Sequence, residues 1–222
     1  MGLLSKSSSF TPARIPGLKV WLDAADLSTL TFNSTRISQW NDKSGNANHA
    51  AQATGGAQPL YVSNGINGLP AIQFRDDGAA RYLSIPDNTT LDYTAFEIFA
   101  VINRHADLGA NERIAGKFSV TSPANQREFS LLVLGTSAGT GSDFLQIATS
   151  SNGTSADGLG GTSEAIAVGT NYIVSGKFSS PLADSAAGRA RINNKSSTQA
   201  QGSVPGLFAG TSPFFIGAID GG

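Results

Sequence analysis

Short apolar runs, separated by turns rich in asparagine, aspartate, serine and glycine, recur along the whole chain. In residues 18–23 every second side chain is apolar, as in a strand with one buried face. Residues 96–103 (FEIFAVIN) form a nearly continuous apolar run of aromatic and β-branched residues, which predicts a central strand covered on both faces. Further strands are predicted at residues 36–40, 58–62, 71–74, 81–85, 113–118, 128–134, 144–148, 165–168, 172–178, 190–193 and 213–219.

The spacing of these runs predicts the fold class. They follow one another at intervals of about 8–15 residues, and no segment has a convincing helical period. This pattern is typical of an all-β protein, and we expect a jelly-roll β-sandwich of two antiparallel sheets. Residues 135–143 and 150–163 are rich in glycine, serine and threonine, so we expect two long loops there.

The first 16 residues differ from the rest. They are rich in serine, and Pro12 and Pro16 oppose regular strand pairing, so residues 1–16 are predicted to form an extended N-terminal arm. A disordered terminus is the open alternative. Residues 17–222 are enough to form one large β domain with a buried core, without a disulfide or metal site to stabilise it.

Composition excludes several classes of function. The chain has no cysteine, so disulfides, thiolate metal sites and a cysteine nucleophile are excluded. Charged residues make up 14%, against about 25% in an average domain, and the net charge is −1 without a long basic run. We therefore expect a neutral surface rich in hydrogen-bonding groups and no nucleic-acid partner. No secretory signal pattern and no apolar run of about 18 residues occurs, so no membrane insertion is expected.

Three motifs carry a resemblance to a known family. They are residues 15–26 (IPGLKVWLDAAD), 40–50 (WNDKSGNANHA) and 65–74 (GINGLPAIQF). Together they resemble the concanavalin A-like lectin/glucanase superfamily, and within it the laminin-G-like jelly-roll domains of phage virion proteins and bacterial surface proteins. Such domains usually continue into a further strand after an Ile-Gly pair such as Ile216-Gly217. The resemblance therefore implies that the domain at 17–222 lacks its final strand, or that the sequence is a fragment. An edge left open in this way invites a strand from a partner.

The resemblance implies a non-enzymatic structural or adhesive module of a phage virion, either a capsid decoration protein or a tail-associated adhesin. It would assemble in the host cytoplasm and be located in the virion. The expected partners are other virion proteins, held through the arm and the open C-terminal edge, cell-surface glycans, and further copies in a homo-oligomer. The alternative is a stand-alone carbohydrate-binding lectin domain of a bacterial surface protein, extracellular or at the cell surface.

A glycoside hydrolase is the less favoured enzymatic alternative. Such an enzyme needs two carboxylates facing each other across a sugar cleft. Acidic residues two or four positions apart would share one face of a strand. None of the glutamates has such a neighbour, and they are Glu97, Glu112, Glu128 and Glu164. The two histidines, His49 and His105, are interpreted as exposed polar residues, so the sequence predicts no enzyme.

Candidate binding residues are few. Adjacent carboxylates at Asp76 and Asp77 could bind calcium, which prefers six to eight oxygen ligands, and no other cofactor is expected. Tyr82, close by, could stack on a sugar, and a half-buried strand tyrosine is the structural alternative. The motif around Asp42 is interpreted as a turn whose carboxylate accepts backbone hydrogen bonds, hence as scaffold rather than as a site.

Overall fold

A computed structural model describes residues 10–74, 80–121, 124–135, 143–156, 158–179, 188–193, 195–196, 199–201 and 206–217. Its strands are β1 (Leu30–Asn33), β2 (Arg36–Trp40), β3 (Ala50–Ala51), β4 (Leu60–Ile66), β5 (Leu69–Gln73), β6 (Leu83–Ile85), β7 (Ala95–Asn103), β8 (Glu112–Thr121), β9 (Ala124–Val133), β10 (Phe144–Thr149), β11 (Gly158–Ala165), β12 (Asn171–Ser179), β13 (Gly188–Ile192), β14 (Lys195–Ser196), β15 (Gln199–Gln201) and β16 (Phe214–Ile216). Short 3-10 helices occupy Pro12–Arg14, Leu27–Thr29, Gly55–Ala57 and Thr89–Leu91. Across these described ranges, no helix is long and apolar enough to cross a membrane.

The strands form two antiparallel sheets that pack as a sandwich. The large sheet has the order β15-β11-β10-β9-β8-β16-β6-β3-β2-β4-β5, with β1 beside β2. The small sheet has the order β14-β13-β12-β7. The predicted all-β sandwich of two antiparallel sheets is therefore confirmed. The predicted domain boundaries at 1–16 and 17–222, with an arm and a missing strand, stay predictions.

Strand β7 is not the central, doubly covered strand that its composition predicted. It pairs with β12 over nine residues, from Asn103 opposite Asn171 to Ala95 opposite Ser179, and within the described residues nothing pairs with its other side. Every second side chain of β7 is exposed. Phe96, Ile98, Ala100 and Ile102 point into the sandwich, while Phe99 and Val101 point to solvent. The apolar residues of β7 therefore lie on both its inner face and its exposed face.

The core fills the space between the sheets. One cluster, which includes Ile37, Leu83 and Phe129, lies under the centre of the large sheet, and a second includes Leu131 and Val174. Partly buried side chains from β7 and β8 pack against both clusters and join them; these are Phe96, Ile98 and Ile114. The rings of Phe96 and Phe129 lie 4.3 Å apart between centroids, so an aromatic contact links the two sheets directly.

The segment at residues 18–23 was predicted to be a strand, and this is wrong. Its backbone is held by the turn at residues 42–48 instead of by a neighbouring strand. The Asp42 carboxylate accepts a hydrogen bond from the Trp21 N–H at 2.8 Å, and the Lys43 N–H donates to the Trp21 carbonyl. The Asn48 amide donates to the Lys19 carbonyl at 2.9 Å. The alternation of apolar residues therefore predicted correctly which side chains are buried, since Val20 and Leu22 pack on the core. It did not predict which residues form hydrogen bonds with this backbone.

Two predictions around β11 are also corrected. Residues 150–163 were expected to be one long loop, yet β11 begins at Gly158 within them and pairs with β10 and β15. Residues 165–168 were expected to be a strand, but β11 ends at Ala165, and Val168 makes only an isolated bridge with Arg104. A glycine-rich strand between two partners does not need the apolar side chains on which the prediction depended.

Candidate functional site

The residues predicted to bind a ligand are not brought together into a described site. Asp76 and Asp77 lie outside the described residues, so their calcium site stays a prediction. Tyr82 is half-buried, and its ring meets the edge of Phe215 at 5.9 Å between centroids. This contact is the packing of a strand-end tyrosine, and it leaves Tyr82 only partly available to a sugar.

The oxygen-rich loop at residues 41–48 serves the fold. Besides the Trp21 N–H, the Asp42 carboxylate accepts hydrogen bonds from the Ser44 N–H at 2.9 Å, the Ser44 hydroxyl at 2.6 Å and the Asn48 N–H at 3.1 Å. Gly45 follows with a φ of +90°, which completes the predicted turn. Within the part of the chain that the structure describes, no group of three or more histidine, aspartate or glutamate side chains is arranged to hold a metal ion.

Three carboxylates converge on a buried lysine. The Lys117 ammonium lies 2.8 Å from Asp87, 3.0 Å from Asp92 and 3.0 Å from Glu128. Burial opposes the charge of Lys117, but the hydrogen bonds that its ammonium donates to these carboxylates outweigh this effect and raise the Lys117 pKa. Burial also raises the pKa of the Glu128 carboxyl to about 7, against the lowering effect of Lys117. Each carboxylate here is bound to a cation rather than facing another acid across a cleft.

A second buried cation has the same arrangement. The Arg104 guanidinium lies 2.6 Å from Glu112, 2.8 Å from Asp107 and 2.7 Å from Asp143. Its hydrogen bond with Glu112 is the largest influence that raises the pKa of Arg104. These contacts join β8 to the loops around it, because Asp107 precedes β8 and Asp143 precedes β10. The cluster therefore stabilises one region of the sandwich, and like the Lys117 cluster it is structural.

The small sheet carries an exposed apolar patch on the side that faces away from the core, here called the outer face. Phe99 is 63% exposed, Val101 60% and Ile173 58%. Val101 and Ile173 stand directly opposite each other on β7 and β12, and Phe99 is two residues from Val101 on the same face. Contiguous exposed apolar side chains often mark a binding surface.

A groove of about 390 Å³ lies beside this patch. Phe99, Ser175 and Arg191 form one row across β7, β12 and β13, because Ser175 is paired with both of its neighbours. The small Ser175 side chain is buried between two large ones and forms the floor, and Ile173 and Asn193 line the groove as well.

Polar groups lie at both ends of the outer face. At one end, the Asn103 amide donates to Asn171 at 2.6 Å, and the Asn171 amide donates to Asn67 at 2.7 Å, so the β4–β5 turn reaches this sheet. At the other end, Glu97 stands opposite Lys177. The outer face therefore combines an exposed aromatic ring with planar amides and charged side chains, which can bind the apolar and polar parts of one ligand.

Sequence reasoning missed Phe99 because it considered only the tyrosines as sugar platforms. A signal was present in the sequence. Glu97 and Asn103 are polar and lie an even number of residues from Phe99 and Val101, so all four share one face of the strand. The polar residues indicate that this face of β7 is exposed to solvent. His49 and His105 are both exposed, as predicted, and the His49 ring accepts a hydrogen bond from the Asp42 N–H at 3.0 Å.

Comparisons with known proteins bear on the fold. No family model matches the chain, and no curated protein matches it. The chain is similar to a solved structure described as the crystal structure of the binding domain of Paraclostridial Mosquitocidal Protein 1, with a TM-score of 0.56 and 11% sequence identity. The match covers 86% of this chain and 44% of that chain, so this chain spans less than half of its length. At such identity the likeness shows a shared β-sandwich fold and nothing finer, and membership of the concanavalin A-like superfamily stays a prediction.

Proposed function

We propose that the chain is a non-enzymatic adhesive module that binds glycans through the outer face of its small sheet. The observation that carries the proposal is Phe99, an exposed phenyl ring beside a groove lined by Ser175, Arg191 and Asn193. A sugar ring has one apolar face of C–H groups, which an aromatic ring can cover, and a rim of hydroxyls, which planar polar side chains can bind. The outer face offers both within one sheet.

The proposed setting is a phage virion, as a capsid decoration protein or a tail-associated adhesin. It is supported by the resemblance of the three sequence motifs and by the low charge content of 14%. A structurally similar protein is described as a binding domain, which fits an adhesive role. The lectin domain of a bacterial surface protein is the second candidate, and the same outer face favours it, so the two differ in location rather than in chemistry.

The test is a glycan array probed with the purified chain, followed by titration of the best ligand. Phe99→Ala should weaken binding by about tenfold or more, because aromatic side chains at the centre of a binding face contribute most of its affinity. Phe32→Ala is the matched control, since Phe32 is also exposed but lies on β1 of the large sheet. If no glycan binds, or if both variants bind like the wild type, the proposal is wrong.

The same sample distinguishes a hydrolase. Incubation with the bound glycan should release no reducing ends. Release that disappears in Glu97→Gln would contradict the non-enzymatic proposal, because Glu97 is the acidic side chain of the outer face among the described residues.

A further inference from the structure

The outer face carries an excess of positive charge that the chain as a whole does not have. Lys177, Arg189 and Arg191 lie on β12 and β13, and Glu97 on β7 is the acid that faces them among the described residues. The entire chain has a net charge of −1, with 16 acidic and 15 basic residues. A local excess of cations therefore reflects their placement on this sheet and not the composition.

The cations also stand where they repel one another. Lys177 is directly opposite Arg189 in the antiparallel register of β12 and β13. Like charges in this position destabilise a sheet, and the opposite charge that Lys177 faces is Glu97, on its other side on β7. Within the described residues, the outer face holds a single ion pair, between Arg191 and Glu97 at 3.9 Å. Its length is close to the limit for an ion pair, so Arg191 keeps most of its hydrogen-bonding capacity for a ligand.

The groove brings this charge next to the apolar patch. Arg191 and Phe99 are separated by Ser175 alone, so their backbones are two strand spacings, about 10 Å, apart. A sugar ring that covers Phe99 and Ile173 would place a ring substituent over Ser175 and within reach of Arg191. The planar guanidinium matches a carboxylate with two parallel hydrogen bonds, which a hydroxyl cannot reproduce.

We propose that the groove selects acidic saccharides, with the carboxylate of a uronic acid bound by Arg191 and the sugar ring packed on Phe99. The inference rests on the proposed glycan-binding function and adds the substrate class. Lys177 and Arg189 provide the surrounding positive potential that attracts a polyanionic chain of such sugars. Glu97 competes with the ligand for Arg191.

The test uses a matched pair of probes, an oligogalacturonate and the same oligosaccharide with its carboxyl groups reduced to primary alcohols. Titration calorimetry of the full chain should show binding of the acidic probe at least about tenfold tighter than of the reduced probe, since a hydrogen bond to a charged group is lost. Arg191→Gln should remove this difference, while Phe99→Ala should weaken both probes. Glu97→Gln should strengthen binding of the acidic probe by a few fold, because it removes the acid that competes for Arg191.

The outcomes separate this inference from the proposed function. If the wild type binds both probes equally, or if Arg191→Gln still prefers the acidic probe as strongly as the wild type, the acidic preference is overturned. Glycan binding is not affected by either result. A glutamate hexapeptide that binds as tightly as the oligogalacturonate, and independently of Phe99, shows attraction to charge alone and also overturns the inference. Binding of neither probe, together with an array on which no glycan binds, overturns the proposed function itself.

Discussion

The ammonium of Lys117 lies 3.0 Å from the carboxylate of Glu128, and the two side chains are 0% and 2% exposed. The pair joins adjacent strands of the large sheet, β8 and β9. The backbone N–H of Gly210 donates a further hydrogen bond to Glu128 at 3.0 Å. A buried ion pair gives stability only when every charge in it is satisfied, so removal of one partner leaves an uncompensated charge.

Lys117→Met should therefore destabilise the chain by about 3–5 kcal/mol in urea unfolding. The double variant Lys117→Met/Glu128→Gln should recover a substantial part of this loss, because the buried carboxylate is neutralised together with its partner. Asp87 and Asp92 remain in both variants and are partly exposed, so they can turn to solvent. A double variant as unstable as the single one would show that lost packing, not unpaired charge, dominates.

Stability should depend on pH through Glu128. Burial raises its pKa in the folded state to about 7 from an ordinary value of 4.5. Between these pH values the folded chain binds a proton that the unfolded chain does not, so the free energy of unfolding rises as the pH falls from about 7 towards 4.5. We expect a gain on the order of 1–3 kcal/mol between pH 8 and pH 5. Glu128→Gln, unfolded in urea over the same pH range, should lose this dependence. A wild-type profile that is flat or rises with pH would contradict the assignment.

Much of the fold could be predicted from the sequence because alternation reports which face is buried. The strand predicted at residues 36–40 coincides with β2, and the one at 96–103 with β7 within a residue. The neighbours of each strand could not be predicted, since pairing depends on contacts between distant residues. The segment at 18–23 shows this limit, because its periodicity is that of a strand and its partner is a turn.

The candidate site was harder to predict for a related reason. Phe99 looked like part of a doubly covered strand, but its ring is exposed, because within the described residues no further layer covers the outer face of the small sheet. The row of Phe99, Ser175 and Arg191 joins residues far apart in sequence. No spacing along the chain indicates such a row, because cross-strand register sets it.

Asp42→Ala should destabilise the chain strongly, although it changes only one side chain. The Asp42 carboxylate accepts four hydrogen bonds, and one of them comes from the backbone of Trp21 in the segment at 18–23. Hydrogen bonds to a charged group contribute about 1.5–3 kcal/mol each, so a loss of 3 kcal/mol or more is expected in urea unfolding. Asp26→Ala is the control, because Asp26 accepts bonds from Ser28 and pairs with Lys43 at 2.7 Å near the surface, where ion pairs contribute little, and it should cost clearly less. Similar losses in the two variants would contradict the role given to Asp42.

Gly176 lies on β12 where the small sheet packs closely on side chains of the large sheet. A Cβ on this residue would lie 2.8 Å from the Leu131 side chain and 3.1 Å from that of Ile147, both fully buried on the large sheet. Because a packed core can accept an added methyl group only by displacing its neighbours, Gly176→Ala should destabilise the chain by about 1–3 kcal/mol. Gly56→Ala is the matched control, since a Cβ there meets no atom within 4 Å. Thermal unfolding of the two variants should therefore give a lower Tm for Gly176→Ala alone, and equal values would show that the sheets are less closely packed at β12 than these distances require.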